Sequence, residues 1–232
     1  MKILILVDIT NDFCLPDGGL SVAKGYEVVP VANELMRNGD YDLVVAINDL
    51  HPANHKCFAR NHPGHAAFTT IDLNGLTQVL WTDHNIEGTP GADFHKDLQT
   101  SLIDKVLYKG TDPEVDSNSG FFDNARRKET ELRNYILAQA QKAGVPFSEI
   151  ELTVVGLATD WCIKMTALDA RDIGFKTTVA LDGCRPVNLN PDDELKAIRE
   201  MIAAGVNVVE SRELLPSSRR DYPIARTTEL HP

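Results

Sequence analysis

The sequence predicts an α/β fold, a doubly wound and mainly parallel six-stranded sheet with helices on both faces. Three observations carry this. Six apolar runs of strand length recur along the 232 residues. The runs are continuous rather than alternating, as in strands buried on both faces. Segments with helical spacing separate them, as right-handed crossovers between parallel strands require.

The elements follow in order. The run from Ile3 to Val7 is rich in β-branched residues and ends in Asp8. Residues from Val28 to Met36 have helical spacing, and Gly39 stops them. The second strand, Leu43 to Ile47, ends in Asn48-Asp49, and the third, Val106 to Tyr108, ends in Lys109-Gly110. A second helix from Thr130 to Ala143 stops at Gly144. Leu152 to Val155 is the fourth strand and leads to Gly156. From Trp161 to Ile173 a third helix carries Trp161, Met165 and Leu168 on one stripe and ends at Gly174. The strand from Thr177 to Leu181 ends in Asp182, a fourth helix from Asp192 to Ala204 stops at Gly205, and Val206 to Val209 closes the series.

These elements form one expected domain over residues 1–210. Within it, residues 49–104 are an insertion after the second strand, rich in His, Pro, Gly and Asn and without a long helix. A long irregular connection in a compact domain is usually functional. Residues 211–232 are polar, contain Pro216 and Pro223, and read as a surface tail or docking arm.

With 34 acidic against 23 basic residues, the formal net charge is −11. That balance argues against nucleic acid or an anionic membrane as partner, because both are polyanions. The first apolar run is far shorter than the roughly 20 residues of a membrane span, and Asp8 interrupts it in a way no signal peptide does. The expected location is the cytoplasm, where thiols stay reduced. A small-molecule substrate is the expected partner, and a homo-oligomer is compatible with the sequence. Cys14, Cys57, Cys162 and Cys184 form no C-x-x-C pair, which excludes a zinc ribbon or a thioredoxin motif.

In open parallel sheets, ligands bind outside the carboxyl ends of the strands. Those ends deliver Asp8, Asp49 with His51, Lys109, and the segment leading to Cys162. Cys162 is expected in the first turn of its helix, capped by Thr159 or Asp160. Free amides and the helix dipole there favour a thiolate and suit an oxyanion. Asp8 reads as a general base for that thiol. Lys109 reads as the positive charge that keeps Asp8 ionised and the thiol acidic. The other three cysteines lack such company and read as structural. Asp49-x-His51 offers an oxygen and a nitrogen ligand. Six of the seven histidines (His51, His55, His62, His65, His84 and His95) fall in the insertion. Together they indicate a metal site, and His with carboxylate but no Cys suits Zn²⁺, Mn²⁺ or Fe²⁺.

Ordered motifs extend this reading. Val7-Asp8-Ile9-Thr10-Asn11-Asp12-Phe13-Cys14 with Gly18-Gly19-Leu20-Ser21-Val22 is similar to VDxQNDFC…GGxLxV. Asp49-Leu50-His51-Pro52-Ala53-Asn54-His55 is similar to DWHPxNH, and Trp81-Thr82-Asp83-His84 to WPxH. Glu87 to Ala92, Tyr108-Lys109-Gly110, Asp116 to Phe122 and Gly156-Leu157-Ala158-Thr159-Asp160-Trp161-Cys162 complete the set. From Met1 to about Glu210 the chain resembles the isochorismatase-like cysteine hydrolases, specifically their nicotinamidase group. Departures are Thr10 for Gln, Leu50 for an aromatic and Asn85 for a Cys, and Trp161 fills a position that varies in the family.

The resemblance implies a catalytic triad of Asp8, Lys109 and Cys162, and metal ligands Asp49, His51 and His84, with His55 left outside the inner set. It implies Phe13 and Trp81 on either side of a pyridine ring whose nitrogen faces one divalent ion, zinc first and iron or manganese as alternatives. It further implies a cis Leu157–Ala158 bond and an oxyanion hole of the Ala158 and Cys162 amides. The implied reaction converts nicotinamide to nicotinate and ammonia through a thioester, with pyrazinamide also hydrolysed, as part of NAD salvage. The alternative is a metal-independent relative acting on a linear ureido or carbamoyl amide, against which the Asp49/His51/His84 set argues. A further alternative is isochorismatase-type vinyl ether hydrolysis, which in that family does not use this cysteine, so Cys162 argues against it. A non-catalytic protein with a structural metal is disfavoured too, because structural zinc sites are usually closed and often thiolate-rich.

Overall fold

The computed structural model describes residues 1–217. Its main sheet holds β1 (Lys2–Val7), β2 (Leu43–Asp49), β5 (Lys105–Lys109), β6 (Glu151–Leu157), β7 (Lys176–Arg185) and β8 (Asn207–Val209), in the order β5-β2-β1-β6-β7-β8. Every neighbouring pair in it is parallel. Side chains alternate between the faces. Leu4, Leu6, Val44 and Ala46 pack on the helix that follows the one-turn α1 (Asn11–Cys14), namely α2 (Val28–Asn38), whose Val28, Ala32 and Leu35 are buried with them. Ile3, Ile5, Val7, Val45 and Ile47 face the other way, toward α3 (Leu132–Lys142), α4 (Lys164–Ile173) and α5 (Asp193–Ala203). One long helix, α2, on one face and three on the other make the sheet doubly wound, as its apolar runs predict. Each fully buried Leu, Ile or Val contributes about 1.5–3 kcal/mol relative to exposure.

The order of the strands locates the site. The chain builds outward from β1 through β2 to β5, then returns to build β6, β7 and β8 on the other side of β1. The crevice at the carboxyl ends of β1 and β6 is thus the topological switch point, where ligands bind in such sheets. Gly156 lets β6 approach there. It has φ +127°, and a Cβ on it would press into the Val7 carbonyl.

The segment between β2 and β5 contains no long helix, as expected, but it does contain a hairpin, β3 (Thr70–Leu73) with β4 (Leu76–Val79). Asn74 and Gly75 turn it, both with positive φ, as in a type I′ turn. Two further differences concern chain ends. β7 runs on past Asp182 to Arg185, because a register shift between Val154 and Gly156 of β6 lets it resume pairing at Cys184. At the start of the expected tail, Ser211 donates to Asp182 through N at 2.7 Å and Oγ at 2.6 Å, and Leu215 is buried in the core. The remainder of that tail, from residue 218, lies outside the described residues.

Candidate active site

Asp8 follows β1 with φ +54°, a left-handed conformation rare for a non-glycine residue and frequent at functional sites. That turn aims its carboxylate across the crevice, where Oδ1 accepts the Asp49 amide at 2.6 Å. Lys109, the last residue of β5, is 2% exposed and places Nζ 3.0 Å from Asp8 Oδ2, 2.6 Å from Asp49 Oδ1 and 3.3 Å from Cys162 Sγ. Its remaining contact is the Ser117 carbonyl at 3.1 Å. Asp8, Asp49 and Cys162 offer ligand-type atoms within 4.8 Å of one another. The ends of β1 and β2 and the turn after β6 thus bring three residues onto the ammonium that ends β5.

Cys162 is held differently from expectation. The segment Thr159–Ile163 is a π-helical turn that precedes α4, rather than the first turn of an α-helix. Ala158 stands at its N-cap without a side-chain cap, and Asp160 accepts the amides of Val187 and Asn188 at 2.9 and 2.8 Å instead. Neither Thr159 nor Asp160 is therefore the cap. Nor is the stripe of Trp161, Met165 and Leu168 the buried face: Thr166, Ala167 and Ala170 face the core, and the stripe is half-buried. Single π-turns inside helices are frequent at functional sites. The Leu157–Ala158 bond is cis.

Charge sets the protonation states. Burial, then Asp49, pushes the Asp8 carboxyl up to about 6, against Lys109 and the Asp49 amide. Burial also drives the Cys162 thiol well above its ordinary value; Lys109 opposes this, and Asp8 and Asp49 reinforce it. The thiolate expected from the helix dipole is thus overridden, and the free thiol needs a base. Burial opposes charge on Lys109, but Asp49 and Asp8 outweigh it and hold the ammonium protonated. Cys14 and Cys184 are buried and pushed up to about 12, and burial raises Cys57 as well, in keeping with structural roles.

Beside this group lies a second. Asp49, His51 and His84 bring ligand atoms within 4.8 Å of one another. His51 Nδ1 sits 2.7 Å from the Gly110 carbonyl and His84 Nδ1 2.8 Å from the Thr82 carbonyl. Each carbonyl requires a proton on Nδ1, so that in the neutral ring Nε2 carries the free lone pair. His51 Nε2 is buried and has no hydrogen-bond partner. Burial penalises the Asp49 carboxylate, but Lys109 and His51 hold it ionised, well below the usual range. Burial and His51 depress His84 to about 4, so it stays neutral. Burial opposes charge on His51, but Asp49 raises its pKa above the ordinary imidazole value, so a cation binding there would displace its Nε2 proton. One anionic oxygen and two imidazole nitrogens then suit a divalent cation. The His55 ring lies tilted at 48° to that of His51, with centroids 4.4 Å apart, and its Nδ1 accepts the Cys57 amide at 3.0 Å. It groups with Cys57 and Asp116 in a neighbouring cluster that shares His51 with the first. His62, His65 and His95 are not drawn into either group.

The cavity over Cys162 is walled by Phe13, Trp81, His84, Asp49, Ala158 and Trp161. Asp116, Asn118, Leu20 and Val187 complete it and had no role from the sequence. Asp116 was within reach, since it opens a quoted motif; Val187 was not, because only the fold returns the segment after β7 to this rim.

The model of the isochorismatase domain matches residues 2–213. The chain belongs to that family. Among its relatives, the nicotinamidase of Escherichia coli is 43% identical over 210 residues, covering 89% of this chain and 93% of that protein. The structure of the Acinetobacter baumanii nicotinamidase pyrazinamidease superposes with a TM-score of 0.84 at 37% identity, covering 92% of this chain and 98% of that one. The pyrazinamidase of Pyrococcus horikoshii, solved in complex with zinc, gives a TM-score of 0.66 at 29% identity over 90% of this chain and 98% of that one. Both solved structures thus share this chain's fold over at least 90% of its length. Among the described residues, no helix is long and apolar enough to cross a membrane.

Proposed function

We propose that the chain is a cysteine amidohydrolase that converts nicotinamide to nicotinate and ammonia, and that it hydrolyses pyrazinamide as well. The observation that carries this is the contact of one buried ammonium, Lys109, with Asp8, Asp49 and Cys162 at once. The names of the relatives supply the substrate.

Asp8 takes the proton of the Cys162 thiol, and Sγ attacks the carboxamide carbon. The amides of Ala158 and Cys162, at the start of a helical turn where N–H groups lack intrahelical partners, receive the oxyanion. Ammonia departs with the proton returned from Asp8, which leaves a thioester on Cys162. Asp8 then deprotonates a water that hydrolyses the thioester, and nicotinate leaves as Sγ regains a proton. Lys109 holds Asp8 and Asp49 in register and keeps Asp8 ionised at neutral pH. Phe13 and Trp81 flank the ring and exclude water. Asp49, His51 and His84 would hold a divalent cation, zinc by analogy with the Pyrococcus relative, and it would supply a Lewis acid toward the ring nitrogen. That set disfavours the metal-independent ureido amidase. The same reading puts the reaction in cytoplasmic NAD salvage.

Ammonia and nicotinate should appear in equal amounts when the purified protein is given nicotinamide, and benzamide, which lacks the ring nitrogen, should be a much poorer substrate. Absence of ammonia from nicotinamide at saturating substrate and added zinc sinks the reading.

A further inference from the structure

The cavity over Cys162 has a volume of about 20 Å³. That holds a water or two, since one water needs about 10–15 Å³ measured in this way. A pyridine ring enters only if a wall moves. Phe13, Trp81 and Leu20 are buried at 5%, 5% and 7% exposure and are locked in the core. Trp161 is the large wall residue that is only half-buried. Its indole stands edge-on to Trp81, with ring centroids 4.8 Å apart at 87°. It packs against both core clusters and therefore straddles the mouth of the crevice.

Behind Trp161 lies a second cavity of about 310 Å³, lined by Trp161 and Asn118, which also line the first, and by Lys164, Met165, Asp193 and Glu200. The backbone N–H of Asn118 donates to Asn124 Oδ1 at 2.9 Å. Lys164 and Glu200 pair across the outer cavity at 3.2 Å. The partition between the small cavity and the large one is thus mainly one indole, carried by the residue next to the nucleophile.

We propose that Trp161 is the size filter of the site: its indole separates the ring pocket from the outer cavity and sets the largest acyl group that reaches Cys162. This deepens the nicotinamide reading and rests on it only for the choice of substrate. The outer cavity is the room a larger acyl group would occupy once the indole is gone.

Two ratios test it, measured on the full chain with zinc, for wild type, Trp161→Ala, Trp161→Leu and Trp161→Phe. The first is kcat/KM for 5-phenylnicotinamide over that for nicotinamide. The second needs no amidase activity: it is the rate of Cys162 alkylation by 2-iodo-N-phenylacetamide over that by iodoacetamide, with the modified residue identified by peptide mapping. Trp161→Ala and Trp161→Leu should raise both ratios at least tenfold, while Trp161→Phe, which keeps a ring in the partition, stays near wild type. Loss of general stability would instead expose Cys162 and move the alkylation ratio toward that of a free thiol, so each variant is first shown to be folded and its ratio is compared with that of the same variant unfolded in denaturant. Unchanged ratios in a folded Ala or Leu variant overturn the filter. A raised alkylation ratio in a protein that never releases ammonia from nicotinamide keeps the filter and overturns the substrate.

Discussion

Lys109 Nζ lies 2.6 Å from Asp49 Oδ1, and this one contact joins the cysteine-bearing group to the histidine-bearing group. Asp49 ends β2 and Lys109 ends β5, and the two residues are register partners in the sheet. The spacing of the two groups is therefore fixed by strand pairing rather than by a flexible loop.

Replacing Lys109 by Met removes the only cation in contact with both Asp8 and Asp49 among the described residues and leaves two carboxylates buried side by side. Breaking one partner of a buried pair costs about 3–5 kcal/mol. Denaturant unfolding of the chelator-treated variant should show a loss of that order. Its rate of ammonia release should fall by about 10²-fold or more, because a base that stays protonated cannot take the thiol proton.

Acid pH should switch the protein off through Asp8. Its pKa is raised to about 6, so the carboxylate is ionised above that pH and protonated below it. The base form is lost as pH falls. A profile of kcat/KM for nicotinamide should be level near neutrality and drop tenfold per unit below about pH 6. A profile level down to pH 4.5 would remove Asp8 from the proton-transfer role.

Gly110 is the position from which metal affinity is most easily disturbed without touching a ligand. It has φ +64°, its carbonyl orients His51, and a Cβ there would press into the His51 ring. Gly110→Ala should weaken zinc binding by about 10–100-fold, the usual cost of disturbing a group that orients a ligand. Competition with a chromogenic chelator reads this directly, and wild-type affinity in the variant would show that His51 is not a ligand.

Much of this was legible in the sequence. The six strand runs and the glycine stops at Gly39, Gly144 and Gly174 reproduce the observed elements, because burial on both faces demands continuous apolar runs. The grouping of Asp8, Asp49, Lys109 and Cys162 was legible for the same reason: each stands at the carboxyl end of a parallel strand, so the fold alone makes them neighbours. What the sequence hid was tertiary. The π-turn at Cys162 and the diversion of Asp160 to the Val187 and Asn188 amides depend on a segment more than two dozen residues away. The protonated thiol follows from burial beside two carboxylates, which outweighs the local dipole. The hairpin at Asn74-Gly75 was missed although its turn dipeptide is a strong local signal. Its flanking strands are short and the His-rich surroundings suggested loop.

The central claim is that Cys162 is the nucleophile of amide hydrolysis. The most direct measurement is ammonia release from nicotinamide by wild type and Cys162→Ala, both zinc-loaded and both shown to be folded. Steady release by the wild type and a loss of at least about 10³-fold in Cys162→Ala is the predicted result. Release by Cys162→Ala at the wild-type rate would contradict it.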